Sequence, residues 1–158
     1  MQEGLPAPDA GELVFTATLE LGETHEVGAT PYGERRFFDI SGGTFTGPRI
    51  SGTVMTGGLD FELVLANGAM ELEHIAILRT GDGANLFMRT CGFAAPGDST
   101  SRFVPDIEAP NSSQHAWLNS GDFAGVREVN ERDGTIELRI YDISGVALAE
   151  PKIQLSDP

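Results

Sequence analysis

The chain has a single cysteine, Cys91, among 158 residues. No intrachain disulfide is available, and neither a thiolate-rich zinc site nor an iron–sulfur cluster can be assembled. Lysine is equally scarce: Lys152, in the closing stretch EPKIQLSDP, stands alone. Schiff-base chemistry needs a buried amine and has no good source here. Any cation in a functional site is expected to be one of the nine arginines or a protonated histidine. Basic residues are few overall. Ten Lys and Arg face 24 Asp and Glu, for a formal charge of −14. No basic run exceeds Arg35-Arg36. Such a surface repels phosphate backbones and anionic membranes, so neither nucleic acid nor a membrane is expected as a partner.

Other absences narrow the chemistry further. The histidines are His25, His74 and His115. They form no HxH, HxxxH or HExxH spacing, so no metal is expected unless distant histidines converge in space. A metal barrel of the cupin type, which needs such a short pair, is disfavoured. There is no GxSxG elbow, no P-loop and no GxGxxG between a strand and a helix, so no cofactor is expected. Apolar runs are only a few residues long, too short to span a bilayer. The opening MQEGLPAPDAGE lacks a basic region followed by an apolar one. A cytoplasmic location is expected on that ground.

What is present reads as β-structure. There are 20 glycines and 9 prolines, with turn signals recurring every eight to twelve residues. In Glu12–Glu20, Leu13, Phe15, Ala17 and Leu19 alternate onto one face. Further strands are expected at 35–41, 44–46, 49–55, 59–66, 70–80, 85–91, 123–130 and 135–143. Asn67-Gly68 and Asp133-Gly134 read as hairpin turns. Gly42-Gly43, Gly57-Gly58 and Gly81-x-Gly83 read as turns and bulges rather than phosphate cradles. Gly92 to Gly121, with Pro96, Pro105, Pro110, His115 and Trp117, is the irregular stretch, of a kind that often forms a lid or binding loop. Residues 1–11 and 149–158 are expected to be loose ends around one domain at 12–148. The expected fold is all-β: a single antiparallel up-and-down barrel of about eight to nine strands, closed to remove its edges. At that size the interior either fills with side chains or holds one small ligand.

Charges inside apolar strands mark the candidate site: Asp60, Glu71, His74, Arg79, Arg89 and Arg139. Asp60 shares a face with Glu62, Arg139 with Tyr141, and Glu71 with Glu73, Ile75, Ile77 and Arg79. The plain alternative is a solvated outer face, where Asp, Glu and Arg mostly lie. The heavy use of arginine points instead to guanidinium–carboxylate pairs clamping an acid or a carbonyl. His74, in mid-strand, is the best acid/base histidine. Cys91 reads as a small buried residue rather than a nucleophile.

The run Ile40-Ser-Gly-Gly-Thr-Phe-Thr-Gly-Pro-Arg-Ile-Ser-Gly-Thr-Val54 continues into Gly57-Gly58-Leu59-Asp60-Phe61. Later come Leu78-Arg79-Thr80-x-Asp82-Gly83, Asn85–Gly92, Ala116-Trp117-Leu118-Asn119 and Leu138-Arg139-Ile140-Tyr141. These resemble the signature of the small bacterial and fungal proteins called domain of unknown function 3237, over roughly residues 12 to 143. The resemblance implies a calycin-like, lipocalin-like barrel, in a set of folds that includes ligand carriers and cofactor-free cyclases and isomerases. Thr90-Cys91 departs from the family pattern, which has more polar residues there, often asparagine.

Two functions are compatible with these residues. One is a cofactor-independent isomerase, cyclase or lyase working on a small, partly apolar metabolite by acid/base chemistry. Asp60 would be the base, and Arg79 or Arg89 would steady an enolate or carboxylate. His74 or Tyr141 would be the acid, Trp117 would cover the ligand, and Arg139 and Glu71 would contact it. The other is a non-catalytic carrier, in which charges at the rim orient the ligand. A filled barrel acting through its acidic surface is a third outcome. Strand edges on an acidic surface permit a homodimer.

Overall fold

Period-two alternation governs most strands of the computed structural model, which describes residues 7–146. The strands are β1 (Glu12–Thr30), β2 (Gly33–Thr46), β3 (Ser51–Val54), β4 (Gly58–Val64), β5 (Met70–Thr80), β6 (Asn85–Ala94), β7 (Thr100–Glu108), β8 (Phe123–Asn130) and β9 (Thr135–Asp142). Chain neighbours pair antiparallel, and β9 returns to β1. β3 and β4 follow one another in the same position between β2 and β5, so nine strands make a closed barrel of eight positions. This is the up-and-down barrel expected from the turn spacing. The expectations on residues 1–6 and 149–158 lie outside the described residues. Within the opening stretch, Pro8–Ala10 form a 3₁₀ turn with Pro8 buried.

The strands expected at 35–41 and 44–46 are one continuous strand, β2, which runs through Gly42-Gly43, and three further departures from the sequence expectation have local causes. Gly92–Gly121 is not wholly irregular: β6 runs on to Ala94, and β7 lies inside the stretch. Pro105 argues against a strand because it has no N–H to donate. Pairing of β7 with β8 stops at Phe103↔Gly125, so Pro105 stands where only β6 is paired with its strand. Second, β1 continues well past Glu20. Beyond the Glu20↔Thr135 pair it leaves β9 and continues as a β1–β2 arm whose β2 strand is also paired with β4 on its other side. Third, a bulge between Leu13 and Phe15 turns Leu13 outward and buries Val14 in its place.

The two ends of the barrel differ. At the end where β1 begins and β9 finishes, the interior is packed with Phe15, Leu19, Phe45, Leu78, Leu86, Met88, Leu138 and Ile140, all essentially inaccessible. The loop after β7 covers this end. His115 is buried, and its Nε2 donates to Asp82 Oδ1 at 2.8 Å. Gln114 Nε2 donates to the other oxygen of Asp82 at 2.9 Å, and Thr80 Oγ1 donates as well. These bonds hold the Asp82 carboxyl far below its usual range and tie the loop to the β5–β6 turn. Trp117 packs against the core, with the Arg49 guanidinium 3.9 Å from its ring centre.

The glycines of the GGTFTGP run serve this packing. A Cβ on Gly43 would lie 1.9 Å from the Thr18 carbonyl oxygen, and Gly43 holds φ +139°. A Cβ on Gly47 would lie 2.0 Å from the Val14 oxygen. They let β2 approach β1 closely, so this motif records packing rather than ligand binding. Gly97 provides the control, with φ +79° and no atom within 4 Å of a built Cβ. Gly97→Ala should cost about 1–2 kcal/mol, the left-handed penalty alone. Gly43→Ala should cost clearly more, on the order of 3 kcal/mol or above, since backbone must move as well. Urea denaturation of both variants checks the ranking.

Candidate functional site

The other half of the barrel carries ionisable groups where aliphatic side chains would be expected. On β4, Gly58, Asp60 and Glu62 alternate inward. Asp60 sits directly opposite His74 of β5, which sits directly opposite Thr90 of β6. The register thus lines up three polar side chains across three adjacent strands. Arg127 reaches them from β8, where it shares the inward face with Phe123 and Gly125. Asp60 is 1% exposed, His74 2%, Arg127 5%, Glu62 6% and Thr90 7%.

Contacts run as a chain from the mouth inward. Arg36 Nε donates to Glu62 Oε2 at 2.7 Å. Arg127 Nη2 lies 3.6 Å from Glu62 Oε1 and donates to Asp60 Oδ2 at 3.2 Å. His74 Nδ1 and Thr90 Oγ1 share a hydrogen bond of 2.6 Å, and the Phe103 ring meets the imidazole edge-on at 6.2 Å. Among the described residues, three buried side-chain atoms remain without a partner: Asp60 Oδ1, His74 Nε2 and Arg127 Nε. Buried polar atoms in folded proteins are nearly always bonded, so three orphans in neighbouring groups make this cluster the candidate site.

Burial sets the protonation states. It pushes the Asp60 carboxyl up to about 6, outweighing the opposing pull of Arg127; the Glu62 carboxylate adds to the rise. Burial first, and the Arg127 charge second, hold His74 down to about 3, so its ring is neutral near pH 7. If Thr90 donates to Nδ1, Nε2 is a free N–H donor; if Nδ1 donates, Nε2 is a free acceptor. The group therefore combines a carboxyl that titrates near neutrality, a fixed cation and a neutral imidazole.

A cavity of about 530 Å³ opens at this end of the barrel. Arg36, Glu62 and Arg127 contribute its charged lining, and Leu21, Phe38, Met70, Val129 and Ile136 its apolar walls. Asp60 is not in that lining; it lies one ion pair deeper, behind Arg127. A second cavity of about 630 Å³ lies where β7 parts from β8, among Leu72, Phe93, Phe103, Val104 and Phe123. It contains none of the four buried ionisable residues, two of which, Glu62 and Arg127, line the open-end cavity.

Of the residues singled out in the sequence, Asp60 and His74 come together inside. The others do not. Because successive strand residues face opposite sides, placing His74 inward sends Glu71 and Arg79 outward. Arg79 Nε donates to Asn85 instead, at 3.0 Å. Arg89 is exposed and paired with Asp106 at 2.9 Å. Leu138 and Ile140 occupy the inner face of β9, which turns Arg139 and Tyr141 out; Arg139 pairs with Glu137 and Glu128. Trp117 covers the aliphatic end, not the charged one, so it is no lid over this cavity. Cys91 is exposed rather than buried. Arg127 was missed, although its alternation with Phe123 and Gly125 against Glu128 is visible in the strand. The three histidines do not converge: His25 lies on the β1–β2 arm, His74 inside and His115 at the aliphatic end. Among the described residues, one set of metal-ligating side chains does meet, Glu23, His25 and Asp39, on the arm.

The raised Asp60 carboxyl has a stability consequence. Its favourable contribution is complete below the ordinary value of 3.8 and is lost as pH rises through about 6. His74 acts in the opposite sense, losing its contribution as pH falls from 6.5 toward about 3. Comparison with Asp60→Asn isolates the carboxyl. The stability of wild type minus that of the variant should fall by on the order of 2–3 kcal/mol between pH 4 and pH 7. Denaturation curves across that range measure it, and a flat difference would show that Asp60 titrates normally.

Residues 10–102 match the model of a family described as "Protein of unknown function (DUF3237)". A UPF0311 protein of Rhodopseudomonas palustris is 37% identical over 79 residues, 50% of this chain and 52% of that protein. The chain thus matches about half the length of that curated relative. A crystal structure of a conserved R. palustris protein of unknown function superposes with a TM-score of 0.74 at 27% identity, covering 83% of this chain and 95% of the other. An enzyme from Penicillium herquei has the same barrel, with a TM-score of 0.61 at 22% identity over 85% and 96% of the two chains. Among the described residues no helix is long and apolar enough to cross a membrane. The motifs around Gly43 and Asp60 thus fall within the matched segment, and the chain belongs to the DUF3237 family of proteins of unknown function.

Proposed function

We propose that this barrel is a cofactor-independent enzyme that moves a proton on a small, partly apolar molecule bound at its open end. The reaction type is isomerase, cyclase or lyase. The observation that carries this reading is the cluster of unpartnered buried atoms on Asp60, His74 and Arg127, with Arg127 itself lining a cavity of ligand size. A carboxyl with a pKa near 6 suits a general base close to neutral pH. Arg127 and Arg36 are placed to stabilise an enolate or carboxylate oxygen entering the cavity. His74, neutral and hydrogen-bonded to Thr90, stands opposite Asp60 with its Nε2 unpartnered, behind the cavity lining. The enzyme from P. herquei is a protein of similar fold; at 22% identity it lends the fold and nothing of its chemistry.

Asp60 meets a ligand only when Arg127 turns from it, because the guanidinium stands between the carboxyl and the cavity. That same arrangement supports a second reading, a carrier whose charged lining orients a ligand with no turnover.

The two readings separate in one experiment. A panel of small enolisable ketones and 1,3-dicarbonyls is screened by thermal shift, and binders are incubated with the protein in D₂O. The enzyme reading expects protein-dependent deuterium exchange at the carbon beside the carbonyl, seen by NMR. Asp60→Asn should abolish exchange while leaving affinity within about tenfold. Exchange that persists in the variant removes Asp60 from the mechanism. Binding without exchange in wild type selects the carrier.

A further inference from the structure

The geometry points to a divalent metal site on the β1–β2 arm, formed by Glu23, His25 and Asp39, of a kind that takes Zn²⁺. One ligand atom from each of these residues lies within 4.8 Å of the others. The backbone arranges them. Between Leu21 and Thr24 the register with β2 shifts, placing Glu23 in a bulge. His25 follows two residues later, on the same strand face. Asp39 of β2 is its diagonal neighbour, since His25 sits opposite Phe37. The imidazole is stacked on the Phe37 ring, with centres 4.7 Å apart, which limits its rotation.

Bond lengths support the assignment. Zn–N and Zn–O distances of about 2.0–2.2 Å place adjacent ligand atoms roughly 3–3.5 Å apart in tetrahedral or octahedral geometry. His25 Nε2 and Asp39 Oδ1 are already 3.1 Å apart. Glu23 is exposed and forms no ion pair within the described residues, so a rotamer change brings its carboxylate in. One imidazole with two carboxylates suits a borderline cation better than Mg²⁺, which prefers an all-oxygen octahedron and keeps its waters. Three protein ligands leave coordination positions open to solvent.

The site stands back to back with the candidate cavity. Gly22 and Thr24 line that cavity, while Glu23 and His25 alternate to the other side of the same strand. A bound cation would pin the bulge and stiffen that wall. The inference does not depend on the barrel being an enzyme.

Calorimetric titration of the full chain with ZnCl₂, and separately with MgCl₂, tests it. One Zn²⁺ per chain at micromolar affinity is expected, with no Mg²⁺ binding in the same range. His25→Ala and Asp39→Asn should each weaken Zn²⁺ by at least about tenfold, the order of loss that removing even an outer-shell partner brings. Glu23→Gln, on an exposed side chain, is the variant least able to disturb folding and should weaken binding in the same direction. His115→Ala serves as the control and should bind Zn²⁺ as wild type does. Absence of Zn²⁺ binding below millimolar concentration, or binding unchanged in His25→Ala, overturns the assignment.

Discussion

A single guanidinium spanning the barrel holds the charged half of this protein together. Arg127 projects from β8 and is answered by Asp60 and Glu62 of β4, on a different wall. Each of these ions loses hydration on burial, a cost of several kcal/mol per ion that attraction offsets only when geometry is good. At 3.2 Å and 3.6 Å the contacts are adequate rather than tight. The balance therefore settles on a compromise in which Asp60 titrates near neutrality instead of staying firmly ionised. A well-packed aliphatic layer would have been no less stable. Retaining ions here makes physical sense if they act on something that enters the barrel.

The rest of the molecule can be read as support for that arrangement. The aliphatic half provides one continuous core with Phe15 and Phe45 at 5.3 Å, and the loop tied down by His115 and Asp82 covers its end. With stability concentrated there, the opposite half is free to carry polar groups and a cavity. The closed ring also lets a side chain be aimed inward with little freedom, since the strand register decides its direction. The β1–β2 arm is the exception. There β1 parts from β9 beyond Glu20 while β2 stays paired with β4, and the β1 bulge lies beside the cavity.

Much of the barrel was legible from residue order. The hairpin at Asn67-Gly68 was readable because Gly68 takes φ +87°, and it settled Met70–Thr80 as a strand despite its helix-like composition. Strand β7 was not readable, because Pro105 signals a break unless one knows that a neighbour has already departed. In the site, Asp60 and His74 were legible as polar residues interrupting apolar strands. Arg79, Arg89, Arg139, Glu71 and Tyr141 were chosen by the same signal and face solvent. Alternation says which residues share a face of one strand; it does not say which face is inside. Arg127 carried the same pattern as the rejected arginines, and its inward direction depends on Phe123 and Gly125 facing the core beside it.

By itself the residue order determined the antiparallel, up-and-down topology, because alternation, turn chemistry and short connections are local properties. It also restricted any cation in the site to arginine or histidine, since lysine is nearly absent. Only the tertiary structure decided that Arg127 is that cation, that Asp60 and His74 lie side by side, and that Trp117 covers the opposite end. Those outcomes depend on ring closure. Closure brings β8 across from β4, residues 67 positions apart in the chain, and no local signal encodes a contact of that span.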